Sequence, residues 1–271
     1  MRHRVFLIAG VVALGCVWPA EAGLKINMRI EMSSSAGGVG AAVIPPGGGP
    51  AAGSLTTMPA GPTEMVWMIQ DGVLRSETVA ASPSAPEATV TLWKTGDQRT
   101  YVLNPRDKTY FTIDQTSAAN GPFGAMAQGA VVTAKPTGEV QTFLGHKAEK
   151  IDLDVTLPIK LPPGMQVPPG VPAQLHLRGE IWSTDDFGSK PEYAVILEQI
   201  QRLPGAAGAE LARTVKFPLQ GTISLLDLMP MSTTFRVTEI TEQEMPKENF
   251  VVPPAGYREV SGPPRDAPVR R

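Results

Sequence analysis

The chain has 271 residues, 24 Lys and Arg against 26 Asp and Glu, and a formal net charge of −2 at pH 7. It carries no basic excess to meet nucleic acid phosphates or an anionic membrane surface, so neither is expected as a partner. Gly and Pro number 27 each, together about a fifth of the chain, which implies many turns or long loops.

The amino terminus reads MRHR, then the apolar run VFLIAGVVALGCVWP, then Ala20-Glu21-Ala22 before Gly23. A basic n-region, a short h-region and an A-x-A site mark residues 1–22 as a secretory signal peptide. The run falls short of the roughly 20 residues that a membrane span needs, and nothing after residue 22 could cross a membrane. A lipoprotein signal acylated at Cys16 is the alternative, but Ala13 stands where a lipobox carries a branched apolar residue. Cleavage after Ala22 is the favoured expectation and places residues 23–271 in the periplasm or outside the cell. Loss of Arg2, Arg4 and Glu21 takes the net charge to −3. Cys16 is the only cysteine, so the mature chain would hold neither a disulfide nor a thiol nucleophile.

GLKINMRIEM (23–32) alternates without a break: Leu24, Ile26, Met28, Ile30 and Met32 face one way, Lys25, Asn27, Arg29 and Glu31 the other. This predicts a half-buried antiparallel strand. Residues 33–63 carry no charge and few large apolar side chains until the next strand, and read as a mobile insertion. MVWMIQ (65–70) and VLRSETV (73–79) flank Asp71-Gly72, a two-residue hairpin signal. MVWMIQ is apolar on both faces, with Trp67, Met65 and Ile69 on one and Val66 and Met68 on the other, so cover is expected on both sides. TVTLWK (89–94) and RTYVLN (99–104) flank Thr95-Gly96-Asp97-Gln98. KTYFTID (108–114) follows Asn104-Pro105-Arg106-Asp107, where Pro105 can preset the first central φ.

Further strands are predicted at 148–155, 173–183, 215–226 and 232–240. The Pro-rich stretch 158–172 reads as an extended surface loop, since Pro cannot donate to a ladder. SKPEYAVILEQIQRL (189–203) changes period. Tyr193, Ile196, Leu197, Ile200 and Leu203 form a helical stripe, Ser189 and Glu192 have capping-box spacing, and Pro204-Gly205 ends the run. AAGAELA (206–212) offers a second short helix, and the tail 261–271 is expected to be disordered. The elements sum to one β-rich domain over 23–260, of mainly β with α (α+β) class. Its expected form is a curved antiparallel sheet or half-open barrel with helices packed on the concave side.

No G-x-S-x-G, G-x-G-x-x-G or P-loop pattern occurs. His146 and His176 are the only histidines of the mature chain and have no recognised ligand spacing. Asp152 and Asp154 share a strand face and Asp185-Asp186 sit in a turn, neither with the loop of a known calcium site. No metal or cofactor is therefore expected, and no catalytic residue. What remains is aromatic: Trp67, Trp93, Tyr101, Phe111 and Trp182 on strands, with Tyr193, Ile196 and Ile200 on the helix. They are candidates to line an apolar ligand site, with plain core packing as the competing reading.

The stretches YVLNPRDKTYFTI, GEVQTFLGHKAEKIDLDV, EIWSTDD and the terminal FVVPPAGYREV together resemble bacterial secreted proteins of the domain-of-unknown-function 4412 family. That family is similar in plan to the LolA/LolB/LppX group of envelope lipoprotein carriers. The resemblance spans most of 24–260 and contains no catalytic motif. It implies a half-open antiparallel barrel covered by helices, with an apolar cavity that holds lipid acyl chains in better-known relatives. The stretches 33–63 and 158–172 are departures from that plan, and both could reshape a cavity mouth. Three functions stay open: a non-enzymatic envelope protein that binds or carries a lipid or other apolar ligand, an envelope structural or interaction module with a filled core that contacts a protein partner, and a hydrolase with an unrecognised carboxylate site.

Overall fold

The computed structural model describes residues 22–34, 62–79, 89–115, 129–159, 172–202, 206–227 and 231–262. Twelve strands are present among them: β1 (Gly23–Ser34), β2 (Thr63–Gln70), β3 (Val73–Val79), β4 (Val90–Lys94), β5 (Arg99–Asn104), β6 (Thr109–Asp114), β7 (Val131–Phe143), β8 (His146–Pro158), β9 (Gln174–Thr184), β10 (Phe217–Leu225), β11 (Met231–Gln243) and β12 (Arg258–Glu259). Helices α1 (Pro191–Gln201) and α2 (Ala206–Thr214) join β9 to β10, and a 3-10 turn at Lys247–Phe250 follows β11. The strands form one open sheet in the order β12-β6-β5-β4-β3-β2-β1-β11-β10-β9-β8-β7. Every pairing is antiparallel except β12 on β6.

The first wing of the sheet follows directly from its hairpins. Asp71 and Gly72 both have positive φ, 52° and 70°, the left-handed pair that a tight two-residue hairpin requires. This fixes the β2–β3 register, and β1 then sets Leu24, Ile26 and Met28 opposite Ile69, Trp67 and Met65. Gly96 (φ 78°) turns β4 into β5. At the next turn, Asn104 Oδ1 accepts the N–H groups of Arg106 and Asp107 at 3.0 and 3.1 Å, adding a side-chain brace to the constraint from Pro105.

The two apolar faces of β2 are both covered. Met65, Trp67 and Ile69 pack in one cluster with Leu74 and α1. Met68 lies in a second cluster with Val73, Val90, Leu92, Tyr101, Leu103 and Tyr110, closed by Met245, Phe250, Val252 and Tyr257 from the carboxy-terminal segment. That segment then adds β12 beside β6, with Arg258 N–H bonded to the Lys108 carbonyl and Val260 N–H to the Tyr110 carbonyl.

The helices show that the sheet curls. α1 packs against β2 and β3, α2 packs against β7, and the helices pack on each other. β3 and β7 are seven places apart in the sheet, roughly 33 Å if it were flat at about 4.8 Å per strand. Two short helices in mutual contact reach both only if the sheet is curled.

The structure departs from expectation at several places. β7 (VVTAKPTGEVQTF) was not anticipated as a strand. It is an edge strand, so Pro136 removes no ladder bond, and a bulge between Pro136 and Val140, with Gly138 at φ 80°, absorbs the irregularity. β12 is likewise an addition, too short to show a period. Lys190, not Ser189, is the N-cap of α1, and no side chain caps the helix, although Pro191 takes the first turn as expected. The insertion and the Pro-rich loop are narrower than expected, since residues 33, 34 and 63 belong to strands and β8 runs to Pro158. The interiors of both stretches, the signal segment 1–21, Leu203, Pro204-Gly205 and residues 263–271 lie outside the described residues.

Candidate functional site

α1 carries Tyr193, Ile196, Leu197 and Ile200 along one side because four residues separate the members of each overlapping pair. The stripe meets strands from both wings. Trp67, Trp93, Trp182, Tyr193, Ile196 and Ile200 gather in one cluster with Leu24, Ile26, Ile69, Leu74, Phe187, Phe217 and Val237. Six of the eight candidate residues are thus brought together. Tyr101 belongs to the second cluster, on the opposite face of its wing. Phe111 is half-buried on β6 opposite Val102 and joins neither cluster.

The centre of the assembly is aromatic. Phe187 stacks on Phe217 at 4.6 Å and on the His146 ring at 4.7 Å, and Tyr193 approaches Phe217 at 6.1 Å. Phe143 and Trp182 meet at 5.4 Å. Trp93 Nε1 donates to Thr100 Oγ1 at 2.5 Å, and Trp67 Nε1 to Met65 Sδ at 3.1 Å, so both indoles are half-buried with their polar atoms answered. Val195 and Ile196, at 0 % and 3 % exposure, are fully packed at the middle of α1. The Tyr193 hydroxyl is buried without a partner. Burial, reinforced by the charge of Asp185, pushes its pKa up to about 12.

Polar contacts fasten the two ends of α1. Lys190 pairs with Glu242 on β11. Glu198 accepts the Gly96 N–H with both oxygens, at 3.0 and 3.2 Å, and pairs with Arg202. The helix is therefore tied to the β4–β5 turn of one wing and to β11, the first strand of the other.

Two grooves lie elsewhere among the described residues. A groove of about 560 Å³ runs between β7, β8 and α2, with Ala134 and Ile151 on its floor and Lys147, Glu149, Arg213 and Lys216 around it. A second, of about 460 Å³, lies beside Val131, Val132 and Ala209 and shares Arg213. The two histidines sit apart, each with one carboxylate: His146 Nδ1 is 2.9 Å from Asp186 and His176 Nδ1 2.9 Å from Asp227. Asp227 also accepts the His176 backbone N–H, and Asp154 pairs with Arg178 at 3.1 Å. These contacts join loops and neighbouring strands. Among the described residues, no group of three or more His, Cys, Asp or Glu side chains is placed to hold a metal ion.

Phe187 and Phe143 were missed in the sequence. Phe187 lies in an Asp-Gly turn with no period to flag it, and Phe143 ends the irregular strand β7. Phe217 alone carried a usable signal, as an apolar residue of the strand expected at 215–226.

No family model matches the chain and no curated protein matches it, so the likeness to the domain-of-unknown-function 4412 family stands on the quoted stretches alone. Among solved structures, LprF from Mycobacterium bovis is 13% identical, with 82% of this chain and 86% of that chain covered and a TM-score of 0.27. The LolA superfamily protein NE2245 from Nitrosomonas europaea is 8% identical, with 86% and 91% covered and a TM-score of 0.26. Superpositions this loose carry no weight for function, which has to be read from the chain's own residues.

Proposed function

We propose that the chain is an exported, non-enzymatic envelope protein that binds a lipid or another apolar ligand between α1 and the sheet, the helices lying within the concave side of the curl. One observation supports this reading above others: α1 closes a wide aromatic and aliphatic cluster, and the polar contacts that tie its ends to the sheet are partly exposed. Partly exposed ion pairs of this kind contribute about 0–1 kcal/mol each. A ligand would enter by displacing the Ile196 and Ile200 stripe, which packs against the cluster. Met65 and the half-buried Trp67, Trp93 and Trp182 would then face it, and Met adapts readily to different apolar shapes.

The test is titration of the chain with an apolar fluorescent probe, followed by displacement with a fatty acid. Glu198→Ala releases α1 from the Gly96 turn and should strengthen probe binding severalfold. Ile196→Trp overfills the cluster, should lower stability by about 1–3 kcal/mol, and should alter probe affinity. Absence of probe binding in both the native chain and Glu198→Ala would overturn the proposal.

The closed cluster also favours a second reading, an envelope structural or interaction module. On that reading Glu198→Ala lowers stability with no binding to gain. The hydrolase reading has less support. Glu149 and Asp185 line one groove, but both are exposed with Lys147 and Lys216 on the same lining. A carboxylic general acid requires the opposite, an apolar enclosure.

A further inference from the structure

Gln70 is buried without explanation by its surroundings. It closes β2 beside the Asp71-Gly72 turn, is 2 % exposed, and neither its amide oxygen nor its amide nitrogen has a hydrogen-bond partner. A buried amide left unpaired is costly and persists where something else answers it.

Gly23 lies against it. A β-carbon added to Gly23 would stand 3.1 Å from Gln70 Cβ, 2.6 Å from the Ile69 carbonyl oxygen and 2.4 Å from Met245 Cε. Only a residue without a side chain fits in this wedge. Gly23 is also the first residue of β1, paired with Gln243 of β11, and the residue that follows Ala20-Glu21-Ala22. The bond that a signal peptidase would cut therefore adjoins a strand position already inside the fold.

We propose that cleavage of the Ala22–Gly23 peptide bond completes this site. Water adds across the bond: Ala22 leaves as a carboxylate, and the nitrogen of Gly23 becomes an α-ammonium. A chain amide offers one proton and an ammonium three. The added donors are within one side chain's reach of Gln70, whose Oε1 accepts one of them. Departure of Ala22 admits water to the Gln70 amide nitrogen and keeps the new charge partly hydrated, which limits the cost of placing it there. The mature end is then a keyed part of the core, and this holds whether or not the protein binds an apolar ligand.

The test compares a chain that begins at Gly23 with one that retains Ala22, each with and without Gln70→Leu, alongside the intact mass of the exported protein. The Gly23 form should melt about 2–4 °C above the Ala22 form, and Gln70→Leu should erase the gap. An ammonium that gains an acceptor has its pKa raised, so the gap should be full below the ordinary α-amino range of about 7.7–8.0 and vanish as pH rises through the raised value. The exported protein should begin at Gly23. Equal melting of the two forms, a gap untouched by Gln70→Leu, or an exported protein that begins elsewhere overturns the proposal. If Gln70→Leu does not fold, the pH dependence of the gap between the two forms that keep Gln70 decides.

Discussion

Leaving aside the short β12, the two wings that flank β1 have five strands each and opposite fates. From β2 to β6 the strands are short, joined by tight turns, and apolar on both faces; Leu92, Tyr101 and Leu103 are buried under the carboxy-terminal segment while Leu74 and Trp93 face α1. From β11 back to β7 the strands lengthen to as many as 13 residues and end in an edge with Val131 and Val140 more than half exposed. A short wing gains its stability from cover on both sides. A long wing can leave its last strand bare, provided that the edge resists pairing with another chain. Lys135, Pro136 and the bulge that follows give β7 that resistance, while β12 does the same for β6 by occupying its edge.

Removing the cover should produce the largest effect. Phe250→Ala opens a cavity over Val73 and Leu92 and should cost about 3–5 kcal/mol in urea unfolding. Two of the buried tyrosines, Tyr101 and Tyr193, give a smaller and sharper contrast, one in each cluster. Tyr101 donates to Asp97 at 2.9 Å, whereas the Tyr193 hydroxyl has no partner. Tyr101→Phe should therefore destabilise by about 0.5–1.5 kcal/mol, and Tyr193→Phe should stabilise by about 1 kcal/mol.

Both hydroxyls have pKa values raised to about 12, by burial first and then by a carboxylate, Asp97 for Tyr101 and Asp185 for Tyr193. A tyrosine raised on folding favours the fold below its ordinary value near 10, and that contribution is lost as pH rises towards 12. Alkaline unfolding followed by circular dichroism should begin in that window and be delayed in Tyr193→Phe. The smallest effect belongs to the bare edge: Val140→Thr should change stability by no more than about 0.5 kcal/mol. A larger loss would mean that β7 is covered in solution.

The same contrast explains what could be read from the sequence. β1 to β6 were legible because strict alternation, Asp71-Gly72 and Asn104-Pro105 state period and turn together, and Met65 to Ile69 announced two covered faces. β7 was not, because Pro136 and Gly138 interrupt its period and exposure beyond Pro136 erases the alternation that burial imposes. The α1 stripe was legible, but its N-cap was not: Ser189 has the spacing of a cap, while Lys190 takes the position and its side chain is drawn to Glu242 instead. The gathering of Trp67, Trp93, Trp182, Tyr193, Ile196 and Ile200 depends on the curl. No local pattern encodes the curl, since it arises where helices reach from β3 to β7.

β1 sits at the middle of the sheet, between β2 and β11, and pairs Gly23 with Gln243. The separation is 243 − 23 = 220 residues, close to the full length of the folded part. Contacts this distant in sequence form late and slowly. A chain threaded through a membrane amino terminus first can build the β2–β6 hairpins as they emerge, but its central strand stays half-paired until β11 has followed. On the proposed export, translocation and completion of the fold are then separate events in time, and the exposed flank of β1 is what a chaperone would have to guard between them.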